Sequence, residues 1–152
     1  RLKGITPLEQ LMIFTTDRVI LNIAALRSAL KTGEIVLGDR SFLDTLVYQC
    51  LVLKAIETDW YLDLLRRLDF PMPDLVLDLT LDPTIGSARR ASAGKKNDMD
   101  RQPPEFHQAA REAMDRLPEL LPALRFHRID ATMTQKEMLE SAIAAIQTLH
   151  HA

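Results

Sequence analysis

The fold class of this chain is decided by the stretch Leu75-Val76-Leu77-Asp78-Leu79-Thr80-Leu81-Asp82-Pro83. Residues 75–81 consist largely of leucine and valine, and such a short apolar run predicts a strand. Asp82 and Pro83 then predict the start of a helix, because aspartate caps helices and proline suits the first helical position. A strand that passes directly into a helix is typical of an α/β fold.

Helices and short strands alternate along the rest of the chain. Apolar residues at near-helical spacing predict a long helix over about 7–31, opened by a capping box that includes Thr6 and Glu9 and ended by Gly33. Two more strands are expected, at 34–38, where the continuous apolar run suits burial on both faces, and at 126–130. The other expected elements are helices over about 44–68 and 104–117, a polar loop over 91–104 and a final helix opened by Thr134-Gln135-Lys136-Glu137.

This order predicts an α/β fold with a parallel sheet. Three strands are few for so many long helices. We therefore expect that further strands of the domain lie outside these 152 residues.

Composition and charge exclude several classes of function. The 19 basic and 21 acidic residues give a net charge of −2, which provides no basic excess for nucleic-acid binding. The apolar runs are too short for a membrane span and no signal peptide opens the sequence, so we expect a cytoplasmic protein with no membrane partner. The one cysteine, Cys50, excludes an internal disulfide, and the four histidines do not form a metal site.

Two groups of residues are candidates for chemistry. Asp39-Arg40 follows the expected strand at 34–38, and ligands of open parallel sheets bind beyond the carboxyl ends of the strands. An arginine there can fork onto a phosphate while the carboxylate orients it or a metal ion; the alternative is a loop salt bridge. Phe14 and Arg18 share a helical face and can together hold a planar base. The alternative is a core phenylalanine beside a surface arginine.

The order of these residues resembles the thymidylate kinase family. The similar positions are Phe14-Thr15-Thr16-Asp17-Arg18, Gly33 through Asp39-Arg40, Thr45, and Tyr48-Gln49. Farther along, 73–83 with Arg89 resembles the strand and helix that lead to the family's lid, and 126–132 resembles the segment that borders the adenine. The resemblance implies a three-layer P-loop fold of the nucleoside-monophosphate-kinase type, here one partial domain over residues 1–152 with a lid at about 91–104.

For the acceptor nucleoside, the resemblance implies a dTMP site in the first half of the chain. Phe14 is expected to stack on the thymine, and Arg18 is expected to donate to a thymine carbonyl oxygen. Thr45 is expected near the edge of the base, and Tyr48 under the deoxyribose, where its bulk disfavours a 2′-hydroxyl. Gln49 matches the family in type without a defined role.

For the phosphates, the resemblance implies three catalytic residues. Arg40 is expected to bind the dTMP phosphate, with Asp39 organising the acceptor site and the magnesium shell. Arg101 is expected to be the lid arginine that closes on the transferring phosphoryl group. Arg89 is expected to lie against the adenine ring of ATP, and Ala131 is expected in the separate loop that borders the adenine. No protein side chain is expected to ligate the Mg²⁺ ion directly.

The chain departs from the family pattern at several positions. Ser41 stands where the family usually has an aromatic residue or histidine, and Asp44 replaces the usual small polar residue beside Thr45. The lid is shorter, with Pro103-Pro104 in place of an acidic stretch. Because of this, Lys95-Lys96 compete with Arg101 for the catalytic role in the lid, the alternative being lysines on a solvated loop.

The largest departure is an absence, since no Gly-x-x-x-x-Gly-Lys-Ser/Thr motif occurs in the 152 residues. The family needs this loop to cradle the ATP phosphates, and we expect the loop and its flanking strands to occupy roughly 60 further residues before the chain. As it stands, the chain is expected not to transfer phosphate.

The resulting prediction is a kinase that transfers the γ-phosphate of ATP to dTMP to give dTDP, with Mg²⁺, as a homodimer packed through its long helices. Two alternatives stay open. One is a degenerate, non-catalytic nucleotide-binding relative. The other is a deoxynucleoside kinase, a class that usually carries Glu-Arg where this chain has Asp39-Arg40.

Overall fold

The computed structural model describes residues 4–92 and 101–151. The chain divides into two compact units, unit 1 over Arg1–Pro71 and unit 2 over Met72–Ala152. None of the helices formed by the described residues is long and apolar enough to cross a membrane.

Unit 1 is built from helices in its described part. They are α1 (Pro7–Leu21), a π-helical segment (Asn22–Leu26), α2 (Arg27–Lys31), α3 (Phe42–Thr45), a second π-helical segment (Leu46–Val52) and α4 (Thr58–Arg67). The first three follow one another without a break and form what we call the long helix, which confirms the prediction for 7–31.

Both ends of the long helix have the predicted local causes. The Thr6 side chain accepts from the Glu9 backbone N–H at 3.2 Å, and the Glu9 carboxylate accepts from the Thr6 N–H at 2.6 Å. This reciprocal capping box satisfies backbone donors that have no partner inside the helix. Gly33 follows the helix with a φ of 78°, a conformation that glycine adopts without steric cost.

A shared apolar core holds the helices of unit 1 together. Its largest fully buried members are Leu11, Phe42, Leu46, Tyr61 and Leu65. The ring of Phe42 also meets that of Phe70 edge-on, with 6.0 Å between the centroids. The long helix therefore packs on α3 and on the segment that follows it.

The predicted strand at 34–38 is wrong. These residues form no regular structure, and the side chains of Ile35 and Leu37 are 68% and 78% exposed. A strand needs a neighbouring backbone for its hydrogen bonds, and no strand in the described part of the chain pairs with this segment. The apolar run therefore joins no sheet within the described part of the chain.

The predicted helix over 44–68 is two helical segments separated by a break. The first begins earlier, at Phe42, where Ser41 and Asp44 form a second capping box. It ends at Val52, and α4 begins only at Thr58. Between them Lys54 has a φ of 53°, in the left-handed region that ends a right-handed helix.

Unit 2 contains the parallel pair of strands. Its described elements are β1 (Val76–Thr80), α5 (Pro83–Ser92), α6 (Pro104–Asp115), α7 (Leu117–Leu120), β2 (Phe126–Asp130), α8 (Gln135–Gln147) and a 3-10 turn (Thr148–His151). The strands pair in parallel from Val76 opposite Phe126 to Thr80 opposite Asp130. A helix-rich α/β fold with a small parallel sheet is thus confirmed, with two strands in the described residues.

The helix boundaries of unit 2 largely follow the prediction. The predicted helix starts at Pro83 and at the Thr134 capping box are confirmed. The polar loop was expected from residue 91, but α5 extends to Ser92; residues 93–100 lie outside the described part. The helix expected over 104–117 ends at Asp115, and the short helix α7 follows it.

Two arginines and two aspartates tie β1, β2 and α6 together. Arg111 on α6 donates to both carboxylate oxygens of Asp78 on β1, at 2.9 and 3.2 Å. It also pairs with Asp115 on its own helix at 2.9 Å. Arg128, opposite Asp78 in the sheet, completes the network with Asp78 at 3.4 Å and Asp115 at 2.7 Å. A buried carboxylate such as Asp78 needs these partners to offset its desolvation.

The network also acts on the protonation of Arg111. Partial burial lowers its pKa, but the hydrogen bonds and negative charges of Asp78 and Asp115 raise the pKa by more. The guanidinium, which is charged at any ordinary pH, is thus stabilised in the position in which it holds α6 against the sheet.

Replacing Arg111 with methionine should lower the free energy of unfolding by about 2–4 kcal/mol, because it leaves the buried Asp78 carboxylate with only a longer contact to Arg128. Urea denaturation followed by far-UV circular dichroism measures this. The control is Arg128→Met, whose half-exposed side chain should contribute less than about 1 kcal/mol. Equal losses in the two variants would contradict a central role for Arg111.

Candidate functional site

The first group of predicted site residues lies on the long helix. The guanidinium carbon of Arg18 is 5.7 Å from the centroid of the Phe14 ring, and Arg18 Nη1 donates to the Phe14 carbonyl oxygen at 2.9 Å. The two side chains therefore share one face of α1, as their spacing predicts. The Phe14 ring is 40% exposed, so it is not a core residue. An exposed ring beside a cation can stack on a planar ligand.

The second group is the Asp39-Arg40 turn that leads into α3. Both residues are exposed, and Arg40 has a φ of 69°. A left-handed conformation is costly for a residue with a side chain and is frequent at functional sites. Arg40 Nη1 donates to Asp44 Oδ1 at 2.9 Å, while Asp44 Oδ2 accepts from the Ser41 N–H at 3.1 Å. The arginine is thus attached to the first turn of α3.

Three further predicted residues lie on α3 and the π-helical segment after it. Thr45 and Gln49 are buried, and Tyr48 is half-buried. The Gln49 amide is 3.5 Å from the side-chain oxygen of Gln10 on α1, at the outer limit of a hydrogen bond. A π-helical segment is uncommon and often coincides with a functional site.

Sequence reasoning missed a group of buried hydroxyls beneath this face. Within the described part of the chain, the oxygens of Thr15, Thr45 and Tyr61 are buried and make no hydrogen bond of good geometry. Burial raises the pKa of Tyr61, while the nearby Thr15 and Thr45 hydroxyls and the charge of Arg18 partly offset that rise. The three hydroxyls are therefore close neighbours without being well paired. No motif in the sequence indicates such a cluster.

In unit 2, the structure brings two predicted ATP-binding residues together. Arg89 Nη1 donates to the carbonyl oxygen of Ala131 at 2.9 Å, which joins α5 to the loop after β2. In that loop Asp130 Oδ1 accepts from the backbone N–H and the hydroxyl of Thr132, both at 2.8 Å. These hydrogen bonds lower the pKa of Asp130, so the loop is held by an ionised carboxylate.

An open pocket of about 510 Å³ lies at the carboxyl ends of β1 and β2. Its lining residues are Thr80, Leu81, Asp82, Pro83, Gln108, Arg111, Asp115, Arg128 and Asp130. The position agrees with the rule for ligands of parallel sheets. Asp82 also caps α5 here, accepting from the Thr84 N–H at 2.8 Å. The four-residue spacing of Arg111 and Asp115 predicts an ion pair along α6. Their further ion pairs with Asp78 and Arg128 depend on the fold and could not be predicted from the spacing.

The lid residues are only partly described. Arg101 is exposed and lies just before α6. Lys95 and Lys96, the alternatives for the catalytic role in the lid, lie outside the described residues.

No group of three or more His, Cys, Asp or Glu side chains that could hold a metal ion occurs in the described ranges 4–92 and 101–151.

The comparisons with known proteins agree with one another. The family model described as thymidylate kinase matches residues 3–143. A probable thymidylate kinase of Natronomonas pharaonis is 32% identical over 146 residues, which cover 94% of this chain and 71% of the relative. The thymidylate kinase of Deinococcus radiodurans is 30% identical over 152 residues, covering 97% and 71%. That of Chlamydia trachomatis serovar L2 is 26% identical over 148 residues, covering 95% and 72%.

Replacing Tyr61 with phenylalanine should leave the free energy of unfolding within about 1 kcal/mol of the original value, because the removed hydroxyl makes no good hydrogen bond. The raised pKa adds a second expectation. With tyrosine, stability falls as the pH rises above about 10, where the unfolded tyrosine ionises first, and the phenylalanine variant should lack this contribution. Denaturation at pH 8 and pH 10.5 measures both.

A matched control is Tyr61→Leu, which leaves a cavity in the core and should cost about 2–4 kcal/mol. A loss above about 1.5 kcal/mol in the phenylalanine variant would instead mean that the Tyr61 hydroxyl is firmly bonded.

Proposed function

The chain belongs to the thymidylate kinase family, and from that premise we propose that it forms the acceptor side, and part of the donor side, of a kinase that transfers the γ-phosphoryl group of ATP to dTMP. The matched region covers nearly the whole chain, and the relatives bear the same name. We further propose the three-layer P-loop architecture of the nucleoside-monophosphate kinases, with a lid at about 91–104, in a cytoplasmic homodimer.

The observation that carries the dTMP site is the exposed pair Phe14 and Arg18. The ring offers a face on which a thymine can stack, a contact worth about 1–3 kcal/mol. The guanidinium beside it can donate to a thymine carbonyl oxygen. Thr45 and Tyr48 lie on the segment that packs against the same helix, and we assign them to the base edge and the deoxyribose.

Arg40 is the proposed ligand of the dTMP phosphate. Its side chain is 65% exposed and is held at one nitrogen by Asp44. Since a guanidinium has five N–H donors, the remaining ones are sufficient for a forked contact to a phosphate. Asp39, which is exposed and immediately precedes Arg40, is proposed to organise the dTMP acceptor site.

For the donor nucleotide, we propose Arg89 and Ala131 as the edge of the adenine site. The hydrogen bond between them supports this assignment, because it fixes the guanidinium plane against the loop after β2. A fixed plane can stack on a purine ring. Arg101 is proposed as the lid arginine that approaches the transferring group.

The chemistry is charge stabilisation. Phosphoryl transfer proceeds with charge spread over the moving group, so positioned cations supply most of the catalysis. Arg40 would hold the attacking phosphate and Arg101 would neutralise the developing charge. Asp39 is the residue that we place near the water shell of a bound Mg²⁺, which would supply positive charge to stabilise the phosphates.

The homodimer is proposed from the exposed face of the long helix. Ile20 and Ile23 are three residues apart, so they are neighbours on the helix surface, and both are exposed although isoleucine is usually buried. Burying these side chains against a second copy of the chain would remove apolar surface from water.

The activity test uses protein expressed from the intact reading frame. It should phosphorylate dTMP with ATP and Mg²⁺ much faster than it phosphorylates thymidine. Faster transfer to thymidine would indicate a deoxynucleoside kinase, and dTMP binding without any transfer would indicate a non-catalytic relative. Either result would overturn the proposed reaction.

Replacing Arg40 with methionine should weaken dTMP binding by about 1.5–3 kcal/mol, because charge-assisted hydrogen bonds to the phosphate are lost. Thymidine, which has no phosphate, should bind the variant as it binds the original protein. Isothermal titration calorimetry with both ligands measures the difference. Arg66→Met is the matched control, since Arg66 is an exposed arginine of unit 1 paired with Asp63. Equal weakening for both ligands would contradict phosphate binding by Arg40.

Replacing Phe14 with alanine should weaken both ligands together by about 1–3 kcal/mol, since both carry the thymine. The same calorimetric titrations measure it. If Phe14→Ala weakened only the binding of dTMP and not that of thymidine, the Phe14 ring would not be stacked on the base.

A further inference from the structure

The capping box at the start of α3 contains a carboxylate with two tasks. Asp44 Oδ2 accepts the Ser41 N–H at 3.1 Å and thereby caps the helix. Asp44 Oδ1 accepts from Arg40 Nη1 at 2.9 Å. A capping box alone needs only the first of these contacts. The second one connects the helix start to the arginine that we assign to the dTMP phosphate.

We propose that Asp44 is a positioning residue that fixes the Arg40 guanidinium for the acceptor phosphate. The inference rests on the proposed function, and it deepens that function by naming a specificity-determining residue at the same site. The substrate class is a nucleoside monophosphate, and the property that Asp44 controls is the preference for the monophosphate over the free nucleoside.

Three features of the pair support positioning over an incidental surface ion pair. Asp44 is 23% exposed, so solvent screens its charge less than at an open surface site. Its carboxylate is itself fixed to the helix by the Ser41 N–H, so little side-chain entropy is lost when it holds the arginine. Arg40 is also constrained at its backbone, by a left-handed φ of 69°.

The geometry leaves the arginine able to bind. Arg40 is 65% exposed, and Asp44 engages one terminal nitrogen of the guanidinium. The other terminal nitrogen and Nε lie on a different edge of the same plane, which can meet two phosphate oxygens. A guanidinium already fixed in place loses less freedom on binding than a mobile one, so affinity for the phosphate rises.

The negative charge of Asp44 could also act against dTMP binding, and the experiment must distinguish this effect from the positioning of Arg40. A carboxylate near a bound phosphate repels it, and removing the carboxylate would then tighten dTMP binding. Positioning predicts the opposite sign. The direction of the change in dTMP affinity therefore decides between the two effects.

The test measures dTMP and thymidine affinities by calorimetry for the original protein, Asp44→Ala, Asp44→Asn, Arg40→Met and the double variant Arg40→Met/Asp44→Ala, all from the intact reading frame. We expect Asp44→Ala to weaken dTMP binding about 5- to 30-fold and to leave thymidine affinity unchanged. Asp44→Asn should lose less, because a neutral amide oxygen still accepts from Arg40, though more weakly than a carboxylate. In the Arg40→Met background, Asp44→Ala should have no further effect on dTMP.

Several results would overturn the inference. Unchanged or tighter dTMP binding in Asp44→Ala would show that the carboxylate does not position the arginine. If Asp44→Ala weakens the binding of dTMP and thymidine equally, Asp44 only stabilises the helix start. The same follows if Asp44→Ala weakens dTMP binding just as much in the Arg40→Met background. If Asp44→Ala does not fold, the same comparisons are made with Asp44→Asn, which keeps the size of the side chain.

The outcome also separates this inference from the proposed function. An original protein that does not bind dTMP would refute both. An original protein that binds dTMP, with Asp44 variants that bind it equally well, would refute the role of Asp44 alone.

Discussion

The candidate acceptor site depends on one packing constraint, the apolar core shared by the long helix, α3 and α4. Leu11 contributes to it from the long helix, Phe42 and Leu46 from the start of α3 onward, and Leu65 from α4, all of them fully buried. Burying each such side chain contributes about 1.5–3 kcal/mol. Because the core fixes these helices against one another, it also fixes the exposed side chains that they carry on their outer faces. The proposed base-binding pair Phe14 and Arg18 and the proposed phosphate-binding turn Asp39-Arg40 are thus held in place by residues buried in this core.

Unit 2 adds a charge network to an apolar core of its own, which includes Leu117 and Ile129. Asp78 is a buried carboxylate on β1, and two arginines neutralise it, one from α6 and one from the neighbouring strand. A polar network of this kind stabilises only while every member keeps its partner. The carboxyl ends of both strands stay open as a pocket, and the same unit contains Arg89 and Ala131, the pair that we propose for the adenine.

Much of the fold was predictable from local signals. Strands 76–80 and 126–130, the parallel sheet and the capping boxes at Thr6 and Thr134 follow from patterns within a few residues. The run at 34–38 was not predictable in this way, because an apolar run becomes a strand only where a neighbouring strand pairs with it. At the candidate site, the four-residue spacing of Phe14 and Arg18 was sufficient to predict that the two side chains share one face of the helix. Asp44 was recognised as a departure from the family, but its contact with Arg40 depends on the backbone of the turn between them.

The central claim is that dTMP binds on the face formed by the long helix and the turn into α3. The most direct test is an NMR titration of the isotopically labelled protein with dTMP, following the backbone amide signals. The account predicts saturable shifts concentrated at residues 14–18 and 39–49. Thymidine, which has the base but no phosphate, should reproduce the shifts at 14–18 more fully than the shift at Arg40. Shifts confined to unit 2, or no saturable shifts in these two segments, would contradict it.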